Sequence, residues 1–258
     1  MNQRIFKRAT FRFYEELNDF LPPPRRKVSF YYQFEGNPSV KDAIEAIGVP
    51  HVEVDLILAN CKSVPFSYKL KDGDRISVYP AFESLDISSI SKLRKNPLRS
   101  PKFILDVHLG KLARRLRMLG FDTAYSNNFK DEEIINIAEN EKRIILTRDI
   151  QILKNGKVTR GYWVRETSPQ KQIIEVIKRF DLINLVNPFS RCIECNSILS
   201  PVAKESIIHL LPANVKKNFN DFSKCTGCEK IYWQGTHFEK MRKQLEKIKT
   251  LMFEETLQ

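Results

Sequence analysis

Three acidic side chains stand where a divalent cation could be held against a phosphodiester. The apolar run Phe103-Ile104-Leu105 ends on Asp106, Asp131 opens the run Asp131-Glu132-Glu133, and Arg143-Ile144-Ile145-Leu146-Thr147 leads through Arg148 to Asp149. Twice, then, a carboxylate sits just past a short apolar strand. In an open α/β sheet that edge opens into the crevice where ligands bind. Carboxylate oxygens are the hard ligands that Mg²⁺ and Mn²⁺ require, and such an ion activates water and stabilises a phosphoryl transition state. The ordinary alternative is three solvated caps, and it suits Asp131 taken alone. For Asp106 and Asp149, each behind a buried strand, a metal-dependent nuclease site is the better reading. His108, two residues past Asp106, could touch a phosphate or a metal-bound water.

The cysteines carry a second chemistry. Cys192-Ile-Glu-Cys195 and Cys225-Thr-Gly-Cys228 are two Cys-x-x-Cys knuckles separated by 29 residues. Each pair supplies two thiolates, and two pairs close a tetrahedral four-sulfur Zn²⁺ site with no open position, hence a structural one. Gly227 is expected to let the second knuckle turn tightly. Cys61 stands apart at the end of a strand and reads as a small buried apolar residue.

The elements that must position these groups fall into three segments. Residues 1–83 contain Thr10–Tyr14, Lys27–Phe34, a helix capped by Ser39 with Val40, Ala43, Ile44 and Ile47 on one face, then Val52–Leu58 and Ile76–Val78. The order β-β-α-β-β predicts a small α+β unit of about ubiquitin size. Residues 84–101 are rich in Ser, Lys, Arg and Pro and read as a basic linker. Residues 102–187 alternate strand and helix, with strands at 102–105, 123–126, 143–147 and 162–164 and helices at 109–119, 131–140, 150–154 and 168–180. Such alternation predicts a mostly parallel sheet. On the helix after Asp106, Leu109, Leu112, Ala113, Leu116 and Leu119 face inward at 3.6 spacing, which turns Lys111, Arg114 and Arg115 outward. Residues 188–258 hold the knuckles and an amphipathic helix running from Phe238 through Met241, Leu245, Ile248 and Met252.

Composition narrows the class. With 42% hydrophobic and 29% charged residues the chain is of globular type, and no apolar stretch approaches the ~20 residues that span a bilayer. Residues 1–10 hold Arg4, Lys7 and Arg8 without an apolar segment behind them, so a secretory signal is not expected and a cytoplasmic location is. The net charge of +12 is uneven: residues 1–90 hold twelve basic and twelve acidic side chains, which leaves 31 and 19 for the rest. All of the excess thus accompanies the candidate acids and cysteines, and a basic excess attracts polyanions.

At this point the chain resembles a known family. Phe103-Ile-Leu-Asp106-x-His108-Leu-Gly-Lys111-Leu-Ala-Arg114-x-Leu-Arg117-Met-Leu-Gly120-Phe-Asp122 comes first, followed by Leu146-Thr-Arg-Asp149. Arg191-Cys-x-x-Cys195-Asn and Cys225-x-Gly-Cys228-x-x-Tyr232-Trp-x-Gly235-x-His237 complete the series. Together these motifs resemble the Mut-seven carboxy-terminal RNase family over about 102–240. The first segment resembles the ubiquitin-like domain often fused in front of it, through Tyr14–Leu21, Gly48–Asp55 and Gly73–Pro80. It also resembles sulfur carriers, but it lacks a free Gly-Gly end and runs on into Phe82-Glu83, which argues against activation as a thiocarboxylate.

The resemblance implies a multi-domain chain: a ubiquitin-like β-grasp over 1–83, a PIN-like nuclease domain over 102–187, and a zinc ribbon with its helix over 188–258. It implies Mg²⁺ or Mn²⁺ on Asp106, Asp131 and Asp149 (Glu132 is the alternative to Asp131) and Zn²⁺ on Cys192, Cys195, Cys225 and Cys228. RNA would lie along Lys111, Arg114, Arg115 and Arg148. The expected function is a metal-dependent ribonuclease; the alternative is a non-catalytic RNA-binding adaptor. The ubiquitin-like domain is expected to bind another protein or an RNA-processing factor, and no membrane is involved.

Overall fold

The computed structural model describes residues 6–80, Leu93 and 101–254. Its contacts divide the chain into two units, Met1–Ser100 with Asp149–Trp163, and Pro101–Arg148 with Val164–Gln258. Apart from Leu93 and Pro101, the linker expected over 84–101 lies outside the described residues.

In the first unit, β1 (Lys7–Phe13) and β2 (Phe30–Phe34) pair antiparallel. Alternation along β1 turns Ala9, Phe11 and Phe13 into the core. Helix α1 (Val40–Ile47) begins at a capping box in which Ser39 and Asp42 bond each other's backbone, and it buries Val40, Ala43, Ile44 and Ile47. That box satisfies two of the donors a helix start leaves open. β3 (Val54–Ala59), β4 (Lys62–Ser63) and β5 (Arg75–Pro80) complete a sheet of order β2-β1-β5-β3-β4. β5 lies parallel to β1 and antiparallel to β3, the β-grasp arrangement expected from the sequence. Cys61 departs from expectation. It is exposed, because Asn60 and Cys61 are the two left-handed residues, φ 50° and 66°, of the tight β3–β4 hairpin. Two-residue hairpins require that backbone, and it points the thiol away from the core.

In the second unit, β6 (Phe103–Leu105) is fully buried and leads through a 3₁₀ turn into α2 (Gly110–Met118). β7 (Thr123–Ala124), α3 (Asp131–Glu141) and β8 (Ile144–Thr147) follow. Both β7 and β8 run parallel to β6, with Thr123 and Ile144 flanking Phe103, so the alternating pattern gives the parallel sheet it predicts.

The chain then passes through α4 (Ile150–Leu153) and β9 (Gly161–Trp163), which group with the first unit. Three contacts explain why. His51 Nε2 meets the Val158 carbonyl at 3.0 Å, the Trp163 N–H donates to Glu53 at 2.6 Å, and the Phe20 and Trp163 rings lie 5.1 Å apart.

Helix α5 (Pro169–Arg179) returns to the second unit. The cysteine segment forms β10 (Leu199–Val202), the short helices α6 (Lys204–Ile207) and α7 (Ala213–Asn218), then β11 (Phe222–Cys225) and β12 (Ile231–Trp233). Its antiparallel strands close over a small core of Ile207, Leu211, Val215 and Phe222. α8 (Thr236–Glu254) buries Met241, Leu245 and Ile248. Among the described residues no helix is long and apolar enough to cross a membrane.

Candidate active site and metal centre

Asp106 lies immediately beyond β6 and is 4% exposed. Its Oδ1 accepts the His108 N–H at 2.8 Å, while Oδ2 accepts the Arg148 N–H at 2.9 Å and the hydroxyl of Thr147. A buried carboxylate is costly unless hydrogen-bonded. Here three donors from two different elements fix its orientation, and a carboxylate's four lone-pair sites leave room for one more partner. Tyr125 stands nearby: its hydroxyl donates to the Val107 carbonyl at 2.9 Å, and burial together with the Asp106 charge raises its pKa.

The other two acids are placed differently. Asp131 is exposed at the first turn of α3. Asp149 is exposed and caps α4, accepting the Gln151 N–H at 2.7 Å. Among the described residues, one group of three or more candidate ligands has its donor atoms within 4.8 Å of one another, and it is made of cysteines.

The basic residues are also partly committed. Lys111 is exposed on α2. Arg114 clasps Glu194 with hydrogen bonds of 3.0 and 2.9 Å. Arg115 is half-buried, and burial lowers its pKa. The Arg148 guanidinium donates to the Arg165 and Glu166 carbonyls at 3.1 and 2.5 Å. Arg114 and Arg148 are thus committed to protein partners while Lys111 is exposed, so the helix offers a smaller positive surface than its sequence suggests.

The cysteines converge. Cys192 and Cys228 Sγ are 3.6 Å apart, and Cys195 and Cys225 Sγ are 3.3 Å apart. A tetrahedron with Zn–S bonds of ~2.3 Å has edges of ~3.8 Å, so the donor set fits a zinc ion. The knuckles are built by backbone geometry: Asn196 and Glu229 take left-handed φ values of 72° and 59°, and the Gly227 and Cys228 N–H groups point at Cys225 Sγ. Gly227 itself is not left-handed. It is required because a Cβ there would lie 2.3 Å from Ser197 Oγ, a different reason from the tight turn expected.

The protonation pattern shows the strain of four thiols held together. Cys195 drops to about 6, since hydrogen bonds from Ser197 and its neighbouring thiols outweigh the burial that raises it. Cys228 is pushed up to about 12, because burial and hydrogen bonds from the other three thiols outweigh a lowering bond from Lys230. Once one sulfur carries the charge the others resist ionising, and a divalent cation relieves that conflict.

Comparison with protein families places both parts of this arrangement. The Mut7-C RNAse domain matches residues 101–245, more than half of the chain, and the Mut7-C ubiquitin domain matches residues 6–86. The chain belongs to the Mut7-C RNase family. No curated protein and no solved structure matches it.

The Mut7-C match runs unbroken from β6 through the cysteines, and three residues of the quoted motifs join α2 and its sheet to the first knuckle. Arg117, 4% exposed, donates to the Thr123 carbonyl at 2.9 Å and to the Ile193 and Glu194 carbonyls at 3.2 and 2.5 Å, tying α2 to the first knuckle. Asn196, next to Cys195, receives the Thr123 N–H at 2.9 Å and donates to Asp122 at 2.8 Å. Asp122 in turn holds Arg143 at 2.6 Å. Gly120 makes the approach possible: at φ 94°, a Cβ there would lie 2.2 Å from the Asn187 carbonyl oxygen. The signal was present as an arginine at an inward helical position and an Asn beside a Cys, but its meaning depends on residues more than 70 positions away.

Proposed function

We propose that this Mut7-C protein is a ribonuclease that uses Mg²⁺ or Mn²⁺ held by Asp106, Asp131 and Asp149, with Zn²⁺ in the four-cysteine site as a structural ion. The observation that carries the reading is Asp106: a carboxylate buried at the carboxyl end of a parallel strand and oriented by three donors. A buried charge is costly unless it is hydrogen-bonded, paired or metal-bound, and the three donors to Asp106 are all neutral groups. Bound there, such an ion would activate water and neutralise charge at phosphorus. The chain's own residues fix Asp106 and present Lys111 to the RNA backbone, with Arg148 close behind. In this reading residues 102–187 are the nuclease domain, 84–101 link it to the ubiquitin-like domain, and that domain binds a protein partner. Cleavage of RNA with Mg²⁺ or Mn²⁺, and none after Asp106→Asn, tests it.

A specific observation favours the second reading, a non-catalytic RNA-binding adaptor. Asp131 and Asp149 are both exposed, one in the first turn of α3 and the other as the cap of α4, which is an ordinary role for such residues. Metal-independent RNA binding without turnover on any RNA would decide for the adaptor.

A further inference from the structure

The ribbon contains a cavity of about 880 Å³. Its size falls within the ~300–1,000 Å³ range of small-ligand sites. Rings from four separate stretches line it: Phe189, Phe222, Tyr232, Trp233 and Phe238, with Phe189 and Phe238 only 4.4 Å apart. Except for Phe222 these rings are partly exposed, so their faces are not all spent on the ribbon core. The polar groups in the wall include the amides of Asn220 and Gln234, the cations of Arg191 and Lys230, and the carboxylates of Glu194 and Asp221, of which Glu194 is paired with Arg114 and Lys230.

We propose that this cavity takes an unstacked base of single-stranded RNA, an inference that rests on the RNA-cleaving reading above. Sequence-specific and general single-strand binders splay bases onto aromatic rings and read their edges with amides; both group types are present here and a cation stands at the wall for the adjoining phosphate. The wall is also continuous with the helix that starts at the candidate active site. Glu194, in the cavity wall, pairs with Arg114 of α2 and with Lys230 at 3.3 Å. Asp106 stands four residues before α2, the helix that carries Arg114. A base in the cavity would therefore lie beside the element that clasps that helix. Strands β10 and β12 in the wall are sheet edges that an extended peptide would pair with, but aromatic faces with amides beside them suit a base.

The test uses the full zinc-loaded chain without added Mg²⁺ or Mn²⁺. Fluorescence anisotropy compares a labelled single-stranded oligoribonucleotide with the same strand carrying abasic residues, which keeps every phosphate. The expected result is about ten-fold weaker binding of the abasic strand, and loss of that difference in Trp233→Leu, a change that keeps apolar bulk on the ribbon core. Because Trp233→Leu could still loosen the ribbon, exposed Gln234→Ala serves as the second variant and should weaken base-containing RNA alone, with zinc content as the fold control. In a Trp163→Phe background, base-containing RNA should also quench Trp233 emission. Equal affinity for both strands, or an apolar dye held in the cavity that RNA fails to displace, overturns the proposal. Cleaved RNA with base-independent binding would sink the cavity and leave the nuclease reading standing. Base-dependent binding with no turnover in Mg²⁺ or Mn²⁺ would do the reverse.

Discussion

Arg114 and Glu194 meet side by side through two hydrogen bonds, although 80 residues separate them in the chain. The pair converts what reads as a free cation on a basic helix into a clasp between α2 and the first cysteine knuckle. Lys230 reaches the same carboxylate at 3.3 Å, so the charge of Glu194 is shared between two elements.

Because both partners are substantially exposed, 52% and 39% at the side chain, the clasp contributes little to stability. A double-mutant cycle of Arg114→Ala and Glu194→Ala should give a coupling of about 0.2–1 kcal/mol in thermal or denaturant unfolding. The salt dependence of RNA binding should respond more to Lys111→Ala than to Arg114→Ala, because Arg114 is already neutralised. A larger loss of salt slope in Arg114→Ala would show that the clasp opens for RNA.

Asp122 gives the second unit an acid sensitivity. Burial raises its carboxyl pKa, but hydrogen bonds from Arg143 and Asn196 and the charges of Arg143 and Arg191 lower it further than burial lifts it. A carboxyl whose folded value lies below its unfolded value of ~3.9 stabilises the fold above that pH and loses the contribution as pH falls through the folded value. Unfolding midpoints should therefore decline below about pH 4. Asp122→Asn should flatten part of that decline and cost about 3 kcal/mol, since it leaves the buried Arg143 less well paired. Circular dichroism melts across pH 3–7 check both.

Asp149 has two roles in the account, and they separate by substitution. As a cap it accepts the Gln151 N–H, which Asn can also do at nearly equal strength. Asp149→Asn should leave the melting temperature almost unchanged and abolish metal-dependent cleavage. Asp149→Ala should additionally lose about 0.5–2 kcal/mol from the missing cap. Cleavage retained in Asp149→Asn would remove it from the ligand set.

Freshly purified protein should contain one zinc per chain, measured by atomic emission. Cys228, held up to about 12 without metal, must release a proton when zinc binds, so affinity should fall as pH falls. The fall should steepen below about 6, where Cys195 also takes a proton. Cys225→Ser should lower the stability of α2 and its sheet together with the ribbon, because Arg117 and Asn196 join them. An unchanged melt of the sheet would mean that the two are independent.

The sequence foretold what is local. Ser39 and Asp42 are three residues apart, and their capping box can be read from the letters alone; the period-2 pattern of β1 and the helical stripe of α2 are equally direct. The cysteine knuckles were legible because their ligand spacing is the chemistry. What escaped was set by distance or by backbone. Cys61 is exposed because of a two-residue hairpin whose turn lacks the glycine that usually marks it. Arg114, Arg117 and Asn196 look like surface residues until partners 70 to 80 positions away are placed. Helices α6 and α7 span four and six residues, too short to show a period.

The most direct measurement is RNA turnover by the full chain and by Asp106→Asn, with Mg²⁺, with Mn²⁺ and with no added metal. Asn keeps one oxygen for the Thr147 hydroxyl and the Arg148 N–H, which share a single oxygen of Asp106, so the variant should stay folded and bind RNA. The unaltered chain should cleave only when Mg²⁺ or Mn²⁺ is present, and the variant not at all. Cleavage that persists without those ions, or in Asp106→Asn, would contradict this.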